Sequence, residues 1–174
     1  MMADETDTLV TRTGFRFFLR PVGPHDSETL ATLVGTVSDE DLRFRFLSNG
    51  RAVNEERFAR FMSDPEARVV SFLAFDEKRE PIASATLKGD QAGGRCEVAI
   101  MIRAASKRRG IGWTLLDYLV GYAGNAGYST VASVEDRDNH ASIALQRQMG
   151  FTSEPVADEP MLVQPICRWS AIDA

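Results

Sequence analysis

Apolar positions along the chain alternate between two periods, and the places where the period changes mark out the elements. The aromatic-rich stretch 15–22, closed by Pro21 and Pro24, predicts a first strand, with a helix following over 26–34. Ser38 ahead of Asp39, Glu40 and Asp41 has the form of an N-cap with an acidic first turn, leading into a short amphipathic helix over 42–47. Asn54 caps a further predicted helix that runs to Met62. Residues 69–75 and 82–87 read as two strands joined by the charged turn 76–80, and a third strand spans 95–103.

The period then lengthens. Ile111, Leu115, Leu116, Leu119, Val120 and Ala123 recur at helical spacing and the run stops at Gly127. Residues 130–134 return to strand, Asn139 opens an amphipathic helix stopped by Gly150, and two short strands follow near Phe151 and over 161–169. Residues 1–13 are polar and carry no hydrophobic period, so they are expected to form a loose tail ahead of one domain spanning 14–174.

Composition sharpens this picture in three ways. With 174 residues and 44% apolar content, one core can form without disulfides or metals, and Cys96 and Cys167, each in an apolar stretch, suggest reduced thiols. No apolar run reaches the roughly 18 residues of a membrane span, and the acidic start Met1-Met2-Ala3-Asp4-Glu5 does not resemble a signal peptide, so a cytoplasmic location is expected. The formal net charge of −5 argues against nucleic acid as partner, although basic residues gather between Arg103 and Arg109, where a small anion fits better than a polymer.

That cluster sits on the feature with the most chemistry. Lys107-Arg108-Arg109-Gly110-Ile111-Gly112 lies between a strand and a helix, where unpaired backbone N–H groups, the positive helix end and side-chain-free glycines together suit a pyrophosphate. The spacing alone leaves open that the glycines only shape the turn. A dinucleotide fold would begin with such a unit and carry G-x-G-x-x-G, and a Walker loop would carry Gly-Lys-Ser or Gly-Lys-Thr; this chain does neither.

The run from Val98 through Arg108-Arg109-Gly110-Ile111-Gly112-Trp113-Thr114-Leu115-Leu116, with Asn139 and then Gly150-Phe151, resembles the signature of the GNAT superfamily of acetyltransferases. The resemblance implies a mixed α/β fold: a mostly antiparallel central sheet, splayed between its fourth and fifth strands and flanked by about four helices. It implies acetyl-CoA as co-substrate, without a metal. The turn from Lys107 through Arg108, Arg109, Gly110 and Ile111 to Gly112 would hold the pyrophosphate, with Lys107 where the family has Gln or Arg. Main-chain groups of Ala99, Met101 and Ile102 would pair with the pantetheine arm in the slot of the splay, and Asn139 would lie near the cofactor. As a residue, Asn139 reads equally as a plain helix cap.

Glu97 interrupts the apolar strand 96–100 beside that slot. Were it buried, its carboxyl would be raised toward the range of a general base for an attacking amine; on an exposed sheet face it would be merely solvated. The resemblance favours the base, because bacterial GNAT domains that acetylate lysines of acyl-CoA synthetases have a glutamate at the matching place. Their pattern is also similar to residues 38–46, which makes Arg45 a candidate on the acceptor side. Gln146 stands where many of the family have a tyrosine proposed to protonate the departing thiolate. The expected activity is therefore N-acetyl transfer to a protein lysine, with a small-molecule amine or a non-catalytic acyl-CoA sensor as alternatives. The acceptor's identity, the acyl-chain length and the oligomeric state are not written in the residues.

Overall fold

The strands follow from runs that alternate apolar residues between two faces, and the sheet they build is covered on both sides. A computed structural model describes residues 6–46, 68–90 and 92–168. In chain order it contains β1 (Asp7–Val10), β2 (Arg16–Pro21), α1 (Ser27–Val34), α2 (Asp39–Phe46), β3 (Arg68–Phe75), β4 (Pro81–Gly89) and β5 (Arg95–Ile102). After a one-turn 3-10 segment (Ala104–Ser106) come α3 (Ile111–Asn125), β6 (Thr130–Ala132), β7 (Glu135–Asp136), α4 (His140–Gln148), β8 (Thr152–Pro155) and β9 (Leu162–Arg168). The helix expected over 54–62 lies outside the described residues.

The sheet order is β1-β2-β3-β4-β5-β6-β9-β7, with β8 also on β9. All pairings are antiparallel except β5–β6, which is parallel. One face packs against α3: Phe17, Leu19, Phe72, Cys96 and Val98 meet Leu115, Leu116 and Leu119 in the main core. On the other face Leu30 and Leu33 of α1 join Val37, Leu73 and Met101 in a smaller cluster. Burial of these aliphatic and aromatic side chains, each about 1.5–3 kcal/mol, supplies most of what opposes chain entropy.

Local chemistry sets the element ends. Ser38 Oγ accepts the Asp41 N–H at 3.2 Å, the cap expected for α2. Asp26, just ahead of α1, does not cap it; its carboxylate takes Arg20 in a two-pronged pair at 2.7 and 2.8 Å and the Gly23 N–H at 2.6 Å.

Two expectations are corrected. Residues 1–13 are not a loose tail throughout, because β1 pairs with β2 in the register Leu9↔Phe17 and packs Leu9 against the main core. The strand expected over 130–134 ends at Ala132: Ser133 donates its N–H to Pro165 O at 3.0 Å, and the chain re-enters the sheet as β7 on β9.

Candidate functional site

The splay is visible in the register. β5 pairs with β6 only at Arg95↔Thr130, Cys96↔Val131 and Glu97↔Ala132, while β5 itself continues to Ile102. Beyond Glu97, the edge of β5 that faces away from β4 therefore carries backbone groups with no strand partner among the described residues. Of the residues on this stretch, Ile102 turns its main-chain groups to the open edge, whereas those of Ala99 and Met101 face β4 in the alternation set by Arg103 N–H to Ile82 O at 2.8 Å and Asp90 N–H to Arg95 O at 2.9 Å. Ala99 and Ile102 are half-buried, and the Met101 side chain is held in the α1 cluster.

Where β5 ends, the basic turn begins. Gly110 adopts the left-handed region at φ 83° as the N-cap of α3, and Arg108 does so at φ 63° despite its side chain. Thr114 is the first helical residue to reach back, its N–H to Gly110 O at 3.1 Å and its Oγ1 to the same oxygen at 3.0 Å. The N–H groups of Ile111, Gly112 and Trp113 thus stand outside the helical ladder at the positive end of the dipole. Gly112 lies against neighbouring side chains, since a Cβ there would be 3.3 Å from Ile102 Cδ1 and 3.6 Å from Leu145 Cδ1. Lys107, Arg108 and Arg109 are exposed, but the Lys107 ammonium is engaged by Asp41 Oδ2 at 2.6 Å.

Glu97 is exposed rather than buried. The reason is register: Cys96 and Val98 point into the core and the intervening residue faces the other side, opposite Lys88 of β4. Helix α2 packs against both β5 and β7 and carries Arg45 to this face. Removal from water pulls the Arg45 guanidinium down to about 10, while the charges of Glu97 and Glu135 hold it up; it remains a cation at neutral pH.

Glu135 was not singled out in the sequence, yet it anchors the polar network of the region. Its Oε1 accepts from Ser142 Oγ at 2.9 Å and Gln146 Nε2 at 2.6 Å, and its Oε2 accepts from Asn139 Nδ2 at 2.9 Å. Burial raises its carboxyl above the usual range, and the hydrogen bonds from Ser142, Gln146 and Asn139 pull the other way. Gln146, itself buried, uses its second amide hydrogen on Ser142 Oγ at 3.0 Å and accepts from Ser133 Oγ at 2.7 Å. Asn139 Oδ1 accepts the Ser142 N–H at 3.4 Å, so its side chain serves as helix cap and carboxylate partner. The signal for this network was a polar stripe, Asn139, Ser142 and Gln146, at spacings three and four along one helix face.

A model of the acetyltransferase (GNAT) domain matches residues 16–152. The chain belongs to the GNAT acetyltransferase family. Its fold is similar to the GNAT domain of Streptomyces lividans PAT, with a TM-score of 0.81 and 24% identity over 94% of this chain and 97% of that one. It is also similar to a cAMP-binding acyltransferase from Mycobacterium smegmatis, at TM-score 0.62 and 24% identity, where 97% of this chain spans 48% of the other. Spermidine N-acetyltransferase from Vibrio cholerae, solved with CoA and spermine, shares the fold at TM-score 0.69 and 15% identity over 87% and 95%.

In this GNAT domain the turn suits the diphosphate of a CoA-type ligand on its own chemistry: helix-end N–H groups outside the ladder, two left-handed residues that open the backbone, and adjacent guanidinium groups. Among the described residues no cluster of His, Cys, Asp and Glu could hold a metal, and no helix is long and apolar enough to cross a membrane. His25 and His140 are both exposed.

Proposed function

We propose that this domain is an acetyl-CoA-dependent N-acetyltransferase whose acceptor is a protein lysine. The observation that carries the reading is the position of Glu97: an exposed carboxylate on the last rung of β5 paired with β6, at the point where the edge for a thioester arm opens. A base so exposed is within reach of a side chain presented by another protein. Glu97 takes the proton of the attacking ammonium, directly or through a water, and the free amine attacks the thioester carbonyl in a ternary complex. The open main-chain edge of β5 beyond Glu97, to which Ile102 contributes its groups while Ala99 and Met101 keep theirs on β4, orients the pantetheine arm. The turn Lys107, Arg108, Arg109, Gly110, Ile111, Gly112 holds the diphosphate, with Lys107 contributing mainly through Asp41 as a brace. Arg45 stands on the acceptor side between two carboxylates.

The thiolate that leaves takes its proton from solvent, since both amide hydrogens of Gln146 are committed within the protein. A CoA thiol is expected to titrate near the ordinary thiol value of about 8.5, so this costs little at neutral pH. The same commitment of Gln146 supports a second reading, a non-catalytic acyl-CoA-binding domain.

Calorimetric titration with acetyl-CoA, run beside thiol release with a lysine peptide and a panel of small amines, separates the readings. Binding with release on the peptide alone supports the proposal; release only on small amines replaces the acceptor class. Binding without release on any amine leaves the sensor reading. Glu97→Gln is expected to lower kcat by about 10²–10⁴-fold with CoA affinity kept, and full activity of this variant across the pH range removes Glu97 as base.

A further inference from the structure

We propose that Thr13 is a latch on the diphosphate turn: by holding the Arg109 carbonyl it fixes the direction of the Gly110 N–H and so sets the affinity for the CoA diphosphate. The inference rests on reading that turn as the CoA site.

Thr13 lies 96 positions before Arg109, and its Oγ1 donates to Arg109 O at 2.9 Å. In a trans peptide the carbonyl and the following N–H point in opposite directions. With Arg109 O drawn toward Thr13, the Gly110 N–H faces the other side of the turn. The next peptide is fixed from within α3, because Gly110 O accepts both the N–H and Oγ1 of Thr114. Two successive peptide planes are thus set, one by the helix and one by the N-terminal segment.

The turn needs an outside hold. Arg108 at φ 63° occupies a region that L side chains leave unless their surroundings constrain them. The hold itself is rigid. Thr13 has one hydroxyl proton and gives it to Arg109 O, so in the 2.9 Å contact between the two hydroxyls Thr11 is the donor. Thr11 Oγ1 in turn accepts the Phe15 N–H at 3.0 Å, and buried Thr11 lies so close to Gly110 that a Cβ there would sit 3.2 Å from its own.

Three further contacts dock the segment. The Arg12 guanidinium lies 3.4 Å over the Trp113 ring, the Arg109 guanidinium 5.0 Å over Phe15, and Tyr118 donates its hydroxyl to Asp7 Oδ2 at 2.7 Å. Each ties the N-terminal hairpin to α3 or to the turn ahead of it.

The test compares wild type, Thr13→Val and Thr13→Ser in the full chain, by calorimetry with CoA and with S-acetylpantetheine, which lacks the diphosphate. Removing the hydroxyl is expected to weaken CoA binding about three- to tenfold, the range of one hydrogen bond, while T13S stays near wild type. The affinity for S-acetylpantetheine is expected to be the same in all three, and in turnover KM for acetyl-CoA rises in T13V while KM for the acceptor does not. Unchanged CoA affinity in T13V, or equal weakening of both ligands, overturns the latch and leaves the CoA reading standing. Failure of the wild type to bind CoA takes both down.

Discussion

The amide of Gln146 donates to Oε1 of Glu135 at 2.6 Å, joining helix α4 to β7 just past the splay. In the sequence Gln146 signified only the lack of a phenol. In the fold it is the centre of a closed set: it accepts from Ser133 and donates to Ser142 and Glu135, and Ser142 in turn donates to Glu135.

The carboxyl of Glu135 is raised by burial above the reference 4.5, so folding favours its neutral form. Its contribution to stability is greatest below that reference and is lost as pH rises through the higher folded value. Glu135→Gln removes this dependence. Thermal melts from pH 4 to 7 are expected to show the stability difference moving in favour of the variant as pH rises, on top of a constant loss from the altered hydrogen bonds. A difference that stays flat over that range would falsify the assignment.

The legible part of the fold was the part whose stability comes from apolar periodicity. The strands around Phe72, Ile82 and Val98 and the helix carrying Leu115 and Leu119 were readable because each buries a regular stripe. Strand β1 was not, since only Leu9 enters the core and the rest of its stability comes from ladder hydrogen bonds, which leave no mark on composition. The glycine turn was legible because its φ angles demand glycine at position 110; the left-handed Arg108 was not, as no residue type announces it. Glu97 was found as an anomaly in an apolar run, but its exposure depends on which face the register assigns, a tertiary property. Glu135 escaped notice because its partners come from the next helix.

The two turn glycines are expected to differ. Gly110→Ala must hold φ near 83° and place its methyl 3.2 Å from Thr11 Cβ, a side chain fixed by two hydrogen bonds, so a loss of about 1–2 kcal/mol is expected together with weakened CoA binding. Gly112→Ala has ordinary helical backbone and meets only the mobile ends of Ile102 and Leu145. Its stability should stay within about 1 kcal/mol of wild type. Equal losses in denaturant unfolding would show that the turn is not constrained from the Thr11 side.

Cys96 is buried beneath the sheet and its thiol is pushed up to about 11, chiefly by burial and then by the charge of Asp90, with Arg95 opposing. Burial also raises half-buried Cys167. At pH 8 neither thiol carries much thiolate, so reaction of the native protein with a chromogenic disulfide is expected to be slow, with the residual rate belonging to Cys167. Unfolding in guanidinium should release both at once. A Cys167→Ser variant that still reacts as fast as a free thiol would place Cys96 at the surface and contradict the packing of β5.

Asp26 makes the opposite pH argument. Its carboxyl is lowered from 3.8 first by the Arg20 hydrogen bonds and further by the Gly23 N–H, against a desolvation cost, so the pairing stabilises the fold above that reference and is lost as pH falls through the folded value. Arg20 is partly exposed and screened by solvent, which limits the gain from the pair. Asp26→Asn is expected to cost on the order of 1–2 kcal/mol at pH 7, a range set by charge-assisted hydrogen bonds at a semi-exposed site. As pH falls through the folded value the carboxyl becomes protonated in both states of the wild type, and the two proteins should converge. Denaturant titrations at pH 7 and at successively lower pH check this: a gap that persists undiminished in acid would mean that the side chain acts through the turn geometry at Gly23 and not through its charge.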